Sequence, residues 1–307
     1  MTCNTKEQMD SAIEFGKAIN DIRSDQTSDT TIQFLDTSQE LVSKIDGRYQ
    51  TEDQTAQIKQ SVTEKVGKKF KFFRKNPLLE QQGDIGNEVH DLNRHITEVI
   101  LQTTKDLSNE GAYQYVKNLT TIPTEGLKKI YQSYGRSLDP KSEQNLIEGV
   151  KQNLLSIYRI QRTLNKLTGK DGRVQIRTEQ VVIDPRRDIG GTIDFLAIFS
   201  DNTAAVIDYK TKIVSKANLD AFGNIIDPAK VVKSQDLERY KLQTGEYGRM
   251  LRESYGVKSI RNVTILPIKI SVKLDTVNNK YGNKIEGLAF PGQDPLLEKI
   301  LPFSNQT

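Results

Sequence analysis

Cysteine is almost absent: Cys3 is the single thiol in 307 residues. One thiol closes no internal disulfide and builds neither a cysteine zinc site nor an iron–sulfur cluster. No apolar run approaches the roughly 18 residues of a membrane span, and the opening MTCNTKEQMDSAIEF lacks the basic-then-apolar order of a secretory signal. A soluble, cytoplasmic protein without a membrane partner is the expectation. No GxxxxGKS or GxxxxGKT run occurs, so any nucleotide-driven motor belongs to a separate protein. No segment repeats. A strong charge bias is missing as well: 44 basic residues face 40 acidic ones, a net charge of +4, and the pI is near 8.8. That balance permits nucleic-acid binding without demanding it. The length suits one large domain, or one domain with an appendage, and is enough for a real core.

What is present is unevenly spread. Between residues 65 and 75, KVGKKFKFFRK holds six basic residues, no acid and three phenylalanines. Its plain reading is a solvated helix face, and its functional reading is a phosphate-contacting surface through Lys68, Lys69 and Lys71. The first 75 residues read as a polar helical extension, because Ile58, Val62, Val66, Phe70 and Phe73 fall on one helix face. Asn76-Pro77 breaks that pattern. A helix is predicted over 79–102, a helical insertion with turns over 103–142, and a long amphipathic helix from Ser142 to the glycines at 169 and 172. Then come a strand over 173–184, a hairpin turning at Ser200-Asp201-Asn202, a loop of about twenty residues, a helix over 232–256 and a strand from Ser259. The expected fold class is α/β, in the order helix, three strands, helix, strand, with a mostly helical N-terminal half. Preceding helices are expected to cover one sheet face. The core is placed at 76–275, with an irregular tail over 276–307.

The hairpin carries the chemistry. In GGTIDFLAIFSDNTAAVIDYKTK, residues 190–212, Asp194, Asp208 and Lys210 interrupt runs that ask for burial. Unpaired charges there shift their pKa or destabilise the fold. Either Lys210 neutralises one aspartate while the other reaches solvent, or a divalent cation holds the carboxylates. Asp208 and Lys210 share a face by the two-residue period of a strand.

G-T-I-D followed by V-I-D-Y-K, with fourteen residues from Asp194 to Asp208, resembles the motif of the PD-(D/E)xK nuclease superfamily. The resemblance extends to its RecB-like branch. GDIGNEVHDLNRH offers a glycine shortly before His90, YKLQTGEYG offers Gln243 and Tyr247, and RTEQVVID offers Glu179 upstream of the first aspartate. Residues 79–272 are covered. The eponymous proline is replaced by Ile193, and the cluster cysteines of one subgroup are missing.

The resemblance implies a restriction-endonuclease-like core and a DNA exo- or endonuclease dependent on Mg²⁺ or Mn²⁺. His90, Asp194, Asp208 and the Tyr209 carbonyl hold the metal in this reading, and Lys210 orients water. Glu179 is a water-mediated ligand, a partner of Lys210 or merely a strand-face acid. Gln243 and Tyr247 support Lys210 or touch the strand being cut, unless they are core packing, the reading given to Tyr240. Lys212 lines the nucleic-acid path. On a helical wheel His90 shares its side with Gly83, Gly86, Asn93 and Thr97, away from the apolar stripe, whereas His95 reads as surface decoration. DNA is the expected partner, with a separate helicase or other protein docking on the N-terminal region. The alternative is a catalytically silent DNA-end-binding protein on the same fold.

Overall fold

The computed structural model describes residues 27–45, 48–51, 60–67, 77–134, 140–184, 186–213 and 234–270. Among them the chain is mixed α/β, with seven helices, a five-stranded sheet and a separate hairpin. The order is α1 (Ser28–Leu41), the hairpin β1 (Val42–Ile45) and β2 (Arg48–Thr51), β3 (Gln60–Ser61), α2 (Val62–Gly67), α3 (Pro77–Thr104), α4 (Asn109–Asn118), α5 (Glu125–Ser133) and α6 (Pro140–Thr168). Three strands follow, β4 (Gln175–Asp184), β5 (Ile189–Ile198) and β6 (Thr203–Ile213), then α7 (Ser234–Ser254) and β7 (Ser259–Ile270). The predicted order from the long helix onward is the observed one. Pro140 opens α6, two residues earlier than expected, because its fixed φ suits a first helical turn and its missing N–H costs nothing there.

β5 is the central strand. One edge pairs along its whole length with β4, antiparallel. Its other edge is shared end to end: β3 pairs in parallel at Ile189 and Gly190, and β6 antiparallel from Phe195 to Ile198. Residues 191–194 of that edge lie between the two ladders. β7 then pairs with β6 in parallel, which requires the α7 crossover.

Each sheet face is covered. Val89, Leu92, Ile96 and Ile100 of α3 pack with α4, α5 and α6 over Phe195, Ala197, Ala205 and Ile207. On the opposite face Phe34 and Leu35 of α1, Val62 and Val66 of α2, and Met250 and Leu251 of α7 pack over Ile193, Leu196, Ala204 and Val206. Of the N-terminal helix expected through Ile58 and Phe73, the described part differs. Residues 60–61 are strand, and α2 starts at Val62 behind a capping box: the Glu64 amide donates to Ser61 Oγ (3.1 Å) and the Ser61 amide to Glu64 Oε2 (3.0 Å). From this region β3 joins the five-stranded sheet, and the buried faces of α1 and α2 join the α7-side core. Ile58, Phe70 and Phe73 lie outside the described residues.

The hairpin turn is pinned from two sides. Asn202 adopts φ 60°, a conformation Asn tolerates better than most residues. Its Oδ1 accepts from Thr31 Oγ1 of α1 (2.7 Å), and its Nδ2 donates to the Gly256 carbonyl after α7 (3.0 Å).

Candidate metal centre

Side chains of a strand alternate between faces, and β5 does so except at one place. Ile193 and Leu196, three residues apart, both join the α7-side core, while Phe195 and Ala197 join the α3-side core. The register is unchanged across the irregularity, since Thr178 pairs with Phe195 and Gln180 with Ile193, but Glu179 and Asp194 form no ladder pair. Glu179 has φ 48°. Left-handed backbone costs a residue with a Cβ on the order of 1 kcal/mol. Facing residues of two strands thus step out of the alternation together, and both are carboxylates.

His90 of α3 meets them. Its Nδ1 lies 3.5 Å from Glu179 Oε1 and 3.5 Å from Asp194 Oδ1. One ligand atom from each of the three residues falls within 4.8 Å of the others. Asp194 is fixed by its second oxygen, which accepts the Tyr209 amide at 2.6 Å where β5 and β6 have parted. The Tyr209 ring stands edge-on to His90, with centroids 6.0 Å apart. Two carboxylate oxygens and one imidazole nitrogen form a donor set that can hold a divalent cation.

The electrostatics agree with a site short of positive charge. Burial pushes the Asp194 carboxyl up; His90 and Lys210 pull it back only in part, and Glu179 adds repulsion. Burial alone lowers an imidazole, yet the Asp194 and Glu179 carboxylates outweigh it and hold His90 above its usual range.

Asp208 stands differently from the expectation that placed it among the metal ligands. Ala204 and Val206 of β6 face α7, so Asp208 and Lys210 do too, and Lys210 Nζ contacts Asp208 Oδ2 at 2.7 Å. Asp208 lies outside the His90–Glu179–Asp194 group. Burial pushes its carboxyl up to about 6, against the pull of Lys210, and Asp194 is near enough to raise it further. Lys210, in turn, is raised despite its burial by Asp208 and then Asp194. Of the first alternative read from the hairpin, one half is present: Lys210 pairs with Asp208, while Asp194, instead of reaching solvent, is buried beside His90.

Tyr240 of α7 lies under Lys210, whose Nζ is 5.2 Å from the ring centroid. Core packing describes Tyr240 in part: it is buried, and it also flanks the lysine. The spacing to Gln243 and Tyr247 carries that signal, because residues three and seven apart share a helix face. Gln243 donates to the Tyr247 hydroxyl at 3.2 Å. Tyr247 is seated in the α7-side core against Gly191, where a Cβ would approach its Cε1 to 2.5 Å. His95 is not surface decoration: it packs over Gly126 of α5, where a Cβ would sit 2.1 Å from Nε2. Asn93 and Thr97, on the His90 side of the wheel, are fully buried. Lys65, the first cation of the basic segment, pairs with Glu246 at 2.9 Å. Lys68, Lys69 and Lys71 lie outside the described residues, and Lys212 lies within β6.

No known protein family matches this chain, and neither a curated protein nor a solved structure does. Among the described residues no helix is long and apolar enough to cross a membrane.

Proposed function

We propose that the chain is a cytoplasmic, Mg²⁺- or Mn²⁺-dependent nuclease that hydrolyses DNA phosphodiester bonds on a restriction-endonuclease-like core of the RecB-like type. The observation that carries this reading is the convergence of His90, Glu179 and Asp194 at the seam where β5 and β6 part, beside the buried Asp208–Lys210 pair. A cation held there supplies an acidified water and charge for the phosphate. The chain's own groups do the rest. The Tyr209 amide aims Asp194, and the Tyr209 ring sets the plane of His90. Lys210, kept protonated by Asp208 and resting on Tyr240, presents an ammonium to charge developing on the phosphate oxygens. Asp208 holds that ammonium, so it acts through Lys210.

The test is incubation with linear, circular and single-stranded DNA in Mg²⁺, Mn²⁺ or EDTA. Cleavage should require metal and vanish in Asp194→Asn and in Lys210→Met. Metal binding by calorimetry should be lost only in Asp194→Asn, since a protonated lysine has no lone pair for a cation. Cleavage in EDTA would overturn the metal-dependent mechanism, and no cleavage under any condition with DNA still bound would leave a silent DNA-binding protein instead.

A further inference from the structure

A groove runs along the N-terminal half of β4 on the α3 side. It holds about 520 Å³ and lies between the last turns of α3, the α3–α4 turn and residues 173–178. One end reaches Thr178, next to Glu179 in the chain, and the Thr178 hydroxyl donates to Glu98 at 3.2 Å. The other end carries Lys105 and Arg173; Arg173 is anchored there by donating to the Lys105 carbonyl. Arg177, between Ile176 and Thr178, turns its side chain to the other side of the strand and pairs with Asp36 of α1. Two lining cations, Lys105 and Arg173, thus outnumber one lining carboxylate, Glu98. The floor is apolar through Leu101, Val174 and Ile176. Among the described residues β4 pairs only with β5, and its burial changes along its length. Residues 180–184 are buried, whereas Gln175 is exposed and residues 176–179 half-buried.

We propose that this groove holds a single strand of nucleic acid leading to or from the metal centre, a proposal that rests on the nuclease reading. Its geometry suits one strand. From Arg173 to Thr178 extended chain covers roughly 17 Å at about 3.3 Å per residue, the length of about five nucleotides at roughly 3.4 Å each. A groove of this volume has the size of a small-ligand cleft, so it admits one strand lying partly in solvent and not a duplex. Cations at the far end take the phosphates, and the apolar floor takes base and sugar faces, the combination that single-strand grooves use. Lys105 and Gln102 are exposed, and among the described residues neither side chain has a hydrogen bond or ion pair. Either can therefore be changed without touching the core.

The probe is a 5′-fluorescein oligothymidylate of about twelve nucleotides, followed by anisotropy in EDTA so that it is not consumed. The Gln102→Glu, Lys105→Glu double variant should bind at least about tenfold more weakly, with a log–log salt slope shallower by about 0.7 for each phosphate it no longer neutralises. Lys129→Glu on α5, away from the groove, should bind as the unaltered protein does. An unlabelled duplex of equal length should compete poorly. The proposal is overturned if the double variant binds equally well, if the duplex competes as well as the strand, or if the oligonucleotide does not bind. In the last case the N-terminal half of β4, which pairs only with β5 among the described residues, points to a peptide strand. Cleavage is scored separately. Asp194-dependent cleavage with an unaffected double variant removes the groove and leaves the nuclease. Groove-dependent binding without cleavage in any metal removes the nuclease and leaves a strand-binding site.

Discussion

Glu179 shows what the centre costs at the scale of one residue. Its φ of 48° is unfavourable for a side chain with a Cβ, and its carboxylate repels Asp194. Both costs accompany the approach of the Glu179 carboxylate to His90. Glu179→Gly should relieve strain and repulsion together, whereas Glu179→Gln should relieve only the repulsion. We expect the metal-free glycine variant to melt about 1–3 °C above the glutamine variant, the shift expected for somewhat under 1 kcal/mol in a chain of this size. Both should bind Mn²⁺ at least about tenfold more weakly than the unaltered protein. Differential scanning calorimetry and titration calorimetry read the two effects. Equal melting temperatures would mean that the backbone at Glu179 stores no strain.

At the scale of elements, β5 and α7 are held in register by one close approach. Gly191 lies under the Tyr247 ring, and a Cβ there would also come within 3.1 Å of Val62 Cγ2. Gly191→Ala should cost about 1–3 kcal/mol, the usual range for overpacking, and denaturant unfolding measures it. Because α7 also carries Tyr240 under Lys210, the displaced helix should lower cleavage with little change in metal binding. These elements are legible in the sequence because their signals are local. Apolar alternation marks β5 and β6, the Asn202 turn marks the hairpin, and three- and four-residue spacings mark α3 and α6. What sequence periodicity does not show is the break in alternation at Asp194 and Glu179. Strict alternation assigns Asp194 a face, and only pairing with β4 reveals that two facing residues step out together. The side on which Asp208 stands is hidden for the same reason, since its face follows from α7 packing. The Ser61–Glu64 capping box is readable and marks the start of α2. The pairing of residues 60–61 with 189–190 is not, because two residues carry no period.

At the scale of the molecule, the N-terminal region and the charged centre both bear on stability. Leu35 and Val62 are fully buried in the α7-side core, and Lys65, Glu246, Arg187 and Asp184 form one ion-pair chain from α2 across α7 to the β4–β5 turn. Removing residues 1–67 should therefore leave a chain without cooperative unfolding by circular dichroism, not a free-standing nuclease core. The buried titratable groups of the candidate centre contribute a pH dependence of their own. His90, Asp194 and Asp208 all have raised pKa values, so each binds its proton more tightly in the folded chain than in the unfolded one. The stability each provides is present below its unfolded value and is lost as pH rises through its folded value. For Asp208 that loss runs from about 4 to about 6, and for His90 it lies above the ordinary imidazole range. The share of stability that these three groups give the metal-free protein should thus weaken from acid to neutral pH as carboxylates accumulate and the imidazolium between two of them discharges, against the opposite trend of Asp201 and Glu246. Metal binding runs the opposite way, because the ligands must first lose their protons. At a Mn²⁺ concentration of about 100 times the dissociation constant, binding adds about 2.7 kcal/mol, and that increment should shrink as acid competes for the same atoms. The rise in melting temperature on adding Mn²⁺ should accordingly be several degrees at about pH 8 and close to zero at about pH 5.5. Asp194→Asn should show no rise at either pH. An equal rise at both would mean that Mn²⁺ binds elsewhere, and the seam between β5 and β6 would then be a buried ion-pair cluster rather than a metal centre.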